Sequence, residues 1–195
     1  FALGTSYAML RPSFLKATKE RRIINQINRA FVCFGGVDEF DLSFIVSKAL
    51  MSFKNFSEIN IVLGGAYKHV RIFELAEKNN IIKLHSNLSE SSLFKLMKES
   101  DLAIAPCSTI SYEICSVGIP LISGYIVENQ LNIYKGFLEK NIFIDGGDLK
   151  YKIEEDFVQL IQELLDSTIE ENRERVYNQF KLFNKNQINS LLTLI

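Results

Sequence analysis

Short apolar runs alternate with amphipathic segments along most of this chain. The runs that predict strands cover residues 30–34, 59–63, 81–85, 102–105, 121–123 and 142–144. In the segments between them, apolar residues recur every three or four positions, which is the spacing of a helix with one buried face. Nearly continuous apolar strands that alternate with helices are typical of a parallel sheet buried on both faces. The pattern therefore predicts a doubly wound α/β domain with a six-stranded parallel sheet.

Polar residues mark where several predicted helices begin. Asp41 is placed to cap the helix after the first strand, and Ser89 is placed to cap the helix after the third. Leu88, just before that cap, can pack on Leu93 as a hydrophobic staple. Further helices are predicted over residues 67–78 and 128–140.

The two ends of the chain differ from its middle. Residues 1–22 predict an irregular or loosely helical lead-in or interdomain linker outside the core, and residues 23–167 predict the sheet domain. Further helices are predicted over residues 153–165 and 170–192. Since no strand follows, we expect residues 168–195 to form a C-terminal amphipathic helix that packs back on the sheet or onto a missing N-terminal domain. The chain begins at Phe1 and not at methionine, so it is expected to be a fragment of a longer protein.

The segment 101–124 combines a strand, a hydroxyl-rich turn, a helix and a second strand. Ser108 and Thr109 are good residues for the beginning of a helix, and Gly118 marks its end. A helix that begins just after a strand presents free N–H groups and the positive end of its dipole, which can bind phosphate. Glu113 lies one turn further along, where its carboxylate could accept the hydroxyls of a ribose. The alternative reading is a capped helix with an exposed glutamate.

Composition and motifs exclude several classes of function. The net charge of −1 gives no footprint for nucleic acid or an anionic membrane, and no apolar run is long enough to span a bilayer. Walker A and G-x-G-x-x-G motifs are absent, which disfavours P-loop NTPases and NAD enzymes. The cysteines and histidines show no metal-ligand spacing, so we expect reduced thiols, no metal and no cofactor. These residues are Cys33, Cys107, Cys115, His69 and His85. Cys107 lies beside a helix start but has no partnered histidine in the sequence, so we do not interpret it as a nucleophile. Nothing in the sequence resembles a signal peptide, so we expect a cytoplasmic protein.

Several loops at the predicted carboxyl ends of the strands carry a family pattern when they are taken together. Gly35-Gly36 follows the first strand, Ser108-Thr-x-x-x-Glu113 begins the helix after the fourth, and Asn129-Gln130 follows the fifth. This order resembles the C-terminal, nucleotide-binding half of GT-B-fold enzymes of the MurG type, with a Rossmann-like sheet. Residues 7–14 (Tyr-Ala-Met-Leu-Arg-Pro-Ser-Phe), together with 108–113 and 128–130, are most similar to the UDP-sugar hydrolase of pseudaminic acid biosynthesis (PseG-like) and its relatives.

The resemblance implies a role for each of these residues toward a UDP-sugar or a related nucleotide sugar. Ser108 and Thr109 would bind the diphosphate, and Glu113 would accept from the ribose hydroxyls. Gly35 and Gly36 would let the phosphates and the sugar approach the backbone. The remaining residues of the implied site are Asn87 and Leu88 against the base, and Asn129 and Gln130 facing the sugar.

Two departures from the family pattern keep other functions open. Relatives usually place glycine before the Ser-Thr pair, whereas this chain has the bulkier Pro106-Cys107. The catalytic acid or base of the family belongs to an N-terminal domain with no counterpart here, so the catalytic residues are unknown. The chain is therefore expected to be the nucleotide-sugar-binding half of a hydrolase or glycosyltransferase of surface-polysaccharide or nonulosonic acid synthesis, inactive alone, which could dimerise through its exposed interdomain face. The alternatives are a non-catalytic ligand- or partner-binding module with a decayed nucleotide site and, less favoured, a flavodoxin-like regulatory domain.

Overall fold

The structure is a computed structural model that describes residues 8–183. The beginning of the predicted lead-in and the end of the helix predicted over 170–192 lie outside the described residues.

Helices and strands alternate through the described residues, as the apolar pattern predicts. The strands are β1 (Arg29–Val32), β2 (Glu58–Leu63), β3 (Ile82–Ser86), β4 (Leu102–Ile104), β5 (Leu121–Tyr125) and β6 (Ile144–Asp148). The helices are α1 (Pro12–Ala17), α2 (Leu42–Met51), α3 (Arg71–Lys78), α4 (Glu90–Glu99), α5 (Thr109–Val117), α6 (Leu131–Leu138), α7 (Glu154–Asp166) and α8 (Ile169–Lys181). Short 3₁₀ turns occupy Glu128–Gln130 and Leu149–Tyr151.

The strands form one six-stranded sheet in the order β3-β2-β1-β4-β5-β6, and every neighbouring pair is parallel. This result confirms the predicted doubly wound, Rossmann-like α/β fold. The chain first builds the half of the sheet on one side of β1 and then returns to build the other half from β4 onward. The strand order therefore reverses between β1 and β4, and a ligand crevice is expected at that point.

Alternate residues of each strand face two separate cores, because successive side chains of a strand point to opposite faces of the sheet. Ala30 and Val32 of β1 belong to the core under α2, α3 and α7, whereas Phe31 and Cys33 belong to the core under α1, α4, α5 and α6. Both faces of the sheet are thus covered by helices. Ligands can reach the sheet only at its outer strands or at the ends of its strands.

The segment predicted as a lead-in outside the core contributes to the core, so that part of the prediction was wrong. Phe14 and Ala17 of α1 are buried, and Phe14 packs edge-on against the ring of Phe94 in α4. The helix contacts α4 and α5. Its contribution was missed because a six-residue helix is too short to show a helical repeat of apolar positions.

Three element boundaries also differ from the prediction. Strand β6 begins at Ile144 and continues through Asp145, Gly146 and Gly147, which were expected to end it. As the outermost strand, β6 pairs only with β5, so it tolerates polar residues and glycine better than a central strand does. Helix α3 begins at Arg71 and not at position 67, and the helix predicted from 128 opens with a 3₁₀ turn.

Helix α8 packs back on α5 through a close contact at the end of α5. Gly118 ends α5 in the left-handed region, with φ of 75°. A Cβ atom at this glycine would lie 2.8 Å from the ring of Phe180 and 3.2 Å from Val176, both in α8. The Gln179 side chain amide also donates to the backbone carbonyls of Ile119 (2.9 Å) and Ile142 (3.0 Å). The packing of α8 against α5 therefore depends on the absence of a side chain at position 118.

We predict that Gly118→Ala lowers the free energy of unfolding by about 1–3 kcal/mol, because alanine is strained at positive φ and would clash with Phe180. The matched control is Gly136→Ala in α6, where a Cβ would meet nothing within 4 Å. That variant should be neutral or stabilised by up to about 1 kcal/mol. Urea unfolding followed by circular dichroism measures both changes, and equal effects of the two substitutions would contradict the packing described for α8.

Candidate functional site

The candidate site lies at the carboxyl ends of β1 and β4, where the strand order reverses. Two loops border this point: residues 35–38 after β1 and residues 106–108 before α5. The sequence pattern singled out both loops, and the parallel pairing of β1 with β4 brings them to the same edge of the sheet.

The N-terminus of α5 is open. Ser108 is the N-cap residue, with extended backbone angles, but its side chain makes no capping hydrogen bond. Within residues 8–183, the backbone N–H groups of Thr109 and Ile110 donate to no acceptor, and Thr109 is exposed. By contrast, Ser89 caps α4 by accepting from the N–H of Ser92 at 3.2 Å, as predicted. Free donors and the positive end of a helix dipole therefore face the crevice at Ser108 and Thr109.

Helix α2 begins beside the same crevice, but its N-terminus is closed. Asp38 accepts from the N–H groups of Leu42 (2.9 Å) and Ser43 (2.8 Å), so both carboxylate oxygens are used. Burial raises the pKa of Asp38, although the N–H donors of Ser43 and Leu42 act in the opposite direction. The predicted cap, Asp41, makes no side-chain capping bond and instead accepts from Tyr67 and Arg71. Asp41 is thus the N-cap residue of α2, as predicted, but Asp38 and not Asp41 supplies the side-chain hydrogen bonds to this N-terminus.

The glycines after β1 leave the backbone accessible from the crevice. Gly35 has a φ of 84°, and a Cβ atom on either Gly35 or Gly36 would meet nothing within 4 Å. On its other side this loop is packed tightly: a Cβ on Gly64 would lie 2.3 Å from the Cα of Gly36. The Gly36 carbonyl also accepts from the N–H of Ala66 at 3.1 Å. The loop after β2 thus holds the glycine loop in place, while the side of the glycine loop that faces the crevice stays open.

Glu113 lies one turn into α5, and its carboxylate is paired with an arginine. The Nε of Arg11 donates to Oε1 at 2.7 Å, and Nη2 donates to Oε2 at 2.9 Å. The Glu113 side chain is 6% exposed, whereas that of Arg11 is 40% exposed. The hydrogen bond and charge of Glu113 raise the pKa of Arg11, so the guanidinium stays protonated. The nearly buried carboxylate therefore has a bidentate cationic partner.

Helix α1 holds Arg11 in this position. Pro12 is the first residue of the helix, and the guanidinium of Arg11 lies 5.0 Å from the centre of the Phe14 ring. The N–H of Ser13 donates to Oε1 of Glu90, the first residue of α4, at 2.8 Å. Arg11 and Glu90 were missed as site residues. Arg11 lies inside the 7–14 motif that carries the family resemblance, so the signal was present, but no partner could be assigned from spacing.

The residues expected to contact the base follow β3, the outermost strand on one side of the sheet. Asn87 is exposed and has a φ of 51°, and Leu88 packs partly against the core under α4 and α5. The N-terminus of α1 connects this region with the rest of the site, since Leu88 is two residues before Glu90. His85 bonds Asn60 at 2.8 Å, and burial lowers its pKa. The base-binding role of Asn87 and Leu88 stays a prediction.

The residues expected to face the sugar lie in the 3₁₀ turn after β5. Asn129 is exposed, while Oε1 of Gln130 accepts from the N–H of Ile126 at 2.8 Å and so holds the loop together. Close by in the chain, the Tyr134 hydroxyl donates to Asp145 at 2.8 Å, and its ring packs against that of Tyr125. Within residues 8–183, the side chain of Asn129 and the amide nitrogen of Gln130 make no hydrogen bond, so both can reach a ligand.

The Pro106-Cys107 pair, which stands where the resemblance leads us to expect glycine, is buried. The Cys107 N–H donates to the carbonyl of Gly124 at 2.7 Å, and its sulfur lies 3.2 Å from the Ser123 hydroxyl oxygen. Burial raises the pKa of Cys107 to about 11. The thiol is therefore protonated at neutral pH and belongs to the core, not to the open surface at Ser108.

A separate cavity of about 290 Å³ lies away from this crevice, near the amino end of β5. It is lined by apolar residues of α8 and by arginines of the α1–β1 connection and α8. The lining residues are Arg21, Arg22, Ile23, Ile24, Pro120, Asn172, Arg173, Val176, Tyr177 and Phe180.

Residues 8–183 contain neither a cluster of metal-ligand side chains nor a membrane-spanning helix. No group of three or more histidine, cysteine, aspartate or glutamate side chains in this range could hold a metal ion. No helix in the same range is long and apolar enough to cross a membrane.

The fold is shared with the GT-B glycosyltransferases. MurG of Acinetobacter baumannii superimposes with a TM-score of 0.66 at 13% identity, over 98% of this chain and 54% of that protein. The spinosyn rhamnosyltransferase SpnG, in complex with thymidine diphosphate, superimposes with a TM-score of 0.60 at 14% identity, over 88% of this chain and 45% of that protein.

Sequence comparison identifies the family. Residues 16–184 match the family described as "Protein of unknown function (DUF354)", and the chain belongs to it. An uncharacterized protein, MJ1062 of Methanocaldococcus jannaschii, is 30% identical over 147 residues, which is 70% of this chain and 29% of that protein. The spore coat polysaccharide biosynthesis protein SpsG of Bacillus subtilis is 26% identical over 147 residues, or 74% of this chain and 43% of that protein. The chain thus spans less than half the length of either relative.

We predict that none of the three cysteines reacts quickly with Ellman's reagent in the folded protein at pH 8, because all three thiols are buried and burial raises the pKa of each. Three thiols should react after unfolding in guanidinium chloride. Rapid labelling of one thiol in the folded protein, mapped to Cys107, would contradict the assignment of this residue to the core.

Proposed function

We propose that this chain is the nucleotide-sugar-binding half of a two-domain enzyme, a hydrolase or a glycosyltransferase, that acts in the synthesis of a surface polysaccharide. The ligand is a UDP-sugar. The observation that carries this proposal is the open N-terminus of α5 at the point where the strand order reverses, with Glu113 one turn further along the helix.

The diphosphate lies at the start of α5 in this proposal. The free N–H groups of Thr109 and Ile110, the hydroxyl of Ser108 and the helix dipole stabilise its negative charge. The exposed backbone of Gly35 and Gly36 borders the same space without side chains that would obstruct it. Helix α2 is not an alternative phosphate site, because Asp38 already occupies its N-terminus.

The nucleoside and the sugar extend to either side of the diphosphate. Glu113 accepts from the ribose, and the loop at Asn87 and Leu88 lies against the uracil. Asn129 and Gln130 face the sugar. Since the positive end of the helix dipole stabilises the diphosphate as a leaving group, this half promotes cleavage of the sugar–phosphate bond, and a second domain supplies the acid or base.

Three findings from the comparisons support the proposal. The sheet superimposes on GT-B glycosyltransferases, one of which was solved with thymidine diphosphate, and one relative belongs to spore coat polysaccharide biosynthesis. Both relatives are more than twice as long as the region they share with this chain, which fits a second domain in the functional enzyme. The PseG-like activity and the choice of UDP are parts of the proposal that rest on the sequence motifs.

The second candidate function is a non-catalytic module with a decayed nucleotide site. One observation favours it: Arg11 already donates two hydrogen bonds to the Glu113 carboxylate, which is expected to bind ribose. A folded chain that binds no nucleotide would support this candidate.

The proposal is tested by placing a negative charge where the diphosphate is expected. We predict that Thr109→Asp weakens UDP binding at least about tenfold in calorimetric titration, because the carboxylate repels the phosphates. The fold should be unaffected, since an acidic residue in the first turn of a helix is favourable. Binding of uridine, which lacks phosphates, should change less than about twofold by the same argument.

The matched control is Ser91→Asp, an exposed first-turn position of the neighbouring helix α4. This variant should bind UDP like the unmodified chain. CMP and GDP serve as controls for the base. The proposal is wrong if the folded chain binds none of the three nucleotides, or if Thr109→Asp leaves UDP affinity unchanged.

A further inference from the structure

We propose that Arg11 is a positioning residue of this site, which fixes the Glu113 carboxylate so that it selects ribonucleotides over 2′-deoxyribonucleotides. This inference rests on the proposed function and extends it to a residue to which neither the family pattern nor the comparisons assign a role. The probe pair is UDP and 2′-deoxy-UDP, which differ in one hydroxyl group.

Burial makes Glu113 dependent on Arg11. The side chain of Glu113 is 6% exposed, and removing a carboxylate from water is costly unless a cation and hydrogen bonds compensate. Within residues 8–183, Arg11 is the only hydrogen-bond or ion-pair partner of the Glu113 carboxylate. Without Arg11, the carboxylate would lose both its charge partner and its fixed orientation.

The geometry of the pair leaves acceptor capacity for a ligand. Arg11 donates one hydrogen bond to each oxygen of Glu113, and a carboxylate has about four acceptor positions. The fork takes the lone pairs on the side that the two oxygens share, so the unused lone pair on each oxygen points away from the other. One of these lone pairs can accept from the 2′-hydroxyl of a ribose, and in the complex of a 2′-deoxyribose that buried acceptor position stays unpaired.

Arg11 is itself held rigidly, which a positioning residue requires. Its backbone precedes Pro12 at the start of α1, and Phe14 anchors that helix in the core. The Ser13 N–H bonds Glu90 of α4, two residues after Leu88. The same short helix thus joins the carboxylate expected to contact the ribose to the loop expected to contact the base.

A second arginine–carboxylate pair in the same fold shows what a purely structural pair looks like. Nη2 of Arg22 lies 3.5 Å from Oδ1 of Asp101, which directly precedes β4 at the amino-terminal end of the sheet. The other oxygen of Asp101 accepts from the N–H groups of Asn28 (3.3 Å) and Arg29 (3.0 Å), which fixes the entry to β1. Glu113 accepts from no backbone group among the described residues. Within residues 8–183, its remaining lone pairs accept no hydrogen bond.

The test compares affinities for UDP and 2′-deoxy-UDP in the 195-residue chain by calorimetric titration. The unmodified chain should prefer UDP by roughly tenfold, the effect of one hydrogen bond to a charged group. Arg11→Lys keeps the charge but loses the planar fork, so the preference should fall to less than about threefold, mainly through weaker UDP binding. Arg11→Gln should give the same loss of preference.

The matched control is Arg22→Lys, which alters the structural pair and should keep the tenfold preference. Thermal unfolding of each variant shows whether the fold is intact. A chain that binds neither nucleotide refutes the proposed function. A chain that prefers UDP, and keeps that preference in both Arg11 variants, refutes only the role of Arg11.

Three other results would also overturn the inference while leaving nucleotide binding intact. These are equal affinity of the unmodified chain for the two nucleotides, tighter UDP binding by Arg11→Lys, and loss of the fold in both Arg11 variants. The second would show that Arg11 competes with the ribose, and the third would show that the pair serves the fold alone.

Discussion

A parallel sheet covered by helices on both faces leaves open only its outer strands and the ends of its strands. This constraint determines where the protein can bind a ligand. All six strands run in the same direction, so every loop after a strand lies at the carboxyl-terminal end of the sheet. The reversal of strand order between β1 and β4 separates two of these loops and opens a crevice there. The open N-terminus of α5 lies at this crevice, whereas that of α2 is closed by Asp38.

Helix α1 completes the crevice from outside the sheet. It is short, but Phe14 anchors it against α4 and α5, and Arg11, the residue just before the helix, bonds the carboxylate of Glu113. A nearly buried acid is stable in this place because its partner binds it through two hydrogen bonds. The site is thus assembled from elements that are far apart in the chain, which explains why its charge balance depends on residues before the sheet begins.

Much of the fold could be predicted from the sequence because central strands are nearly continuous apolar runs. The predictions failed where this signal is weak. Strand β6 has a neighbour on one side only, so its polar and glycine residues were mistaken for a turn. Asp41 is the N-cap residue of α2, but Asp38 supplies the side-chain bonds, because left-handed backbone angles in the turn decide which carboxylate reaches the helix, and spacing does not reveal them. The α5 start was predicted correctly, since Ser108 follows a clear strand.

The site was predictable only in part. The sequence pattern and the resemblance both singled out Ser108, Thr109 and Glu113. The structure places Ser108 and Thr109 beside the crevice between β1 and β4, and Glu113 one turn further along α5. Neither signal could name Arg11 as the partner of Glu113, because the two residues are 102 positions apart. Contacts over such distances are set by how α1 docks on α4 and α5, which depends on packing and not on local pattern.

The central claim is that a nucleotide diphosphate binds at the start of α5, and amide chemical shifts test it most directly. Titration of ¹⁵N-labelled protein with UDP should give the largest shifts at Gly35, Gly36, Thr109 and Ile110. Shifts confined to the cavity near Val176, at the other edge of the sheet, would contradict the account. So would a spectrum that UDP leaves unchanged.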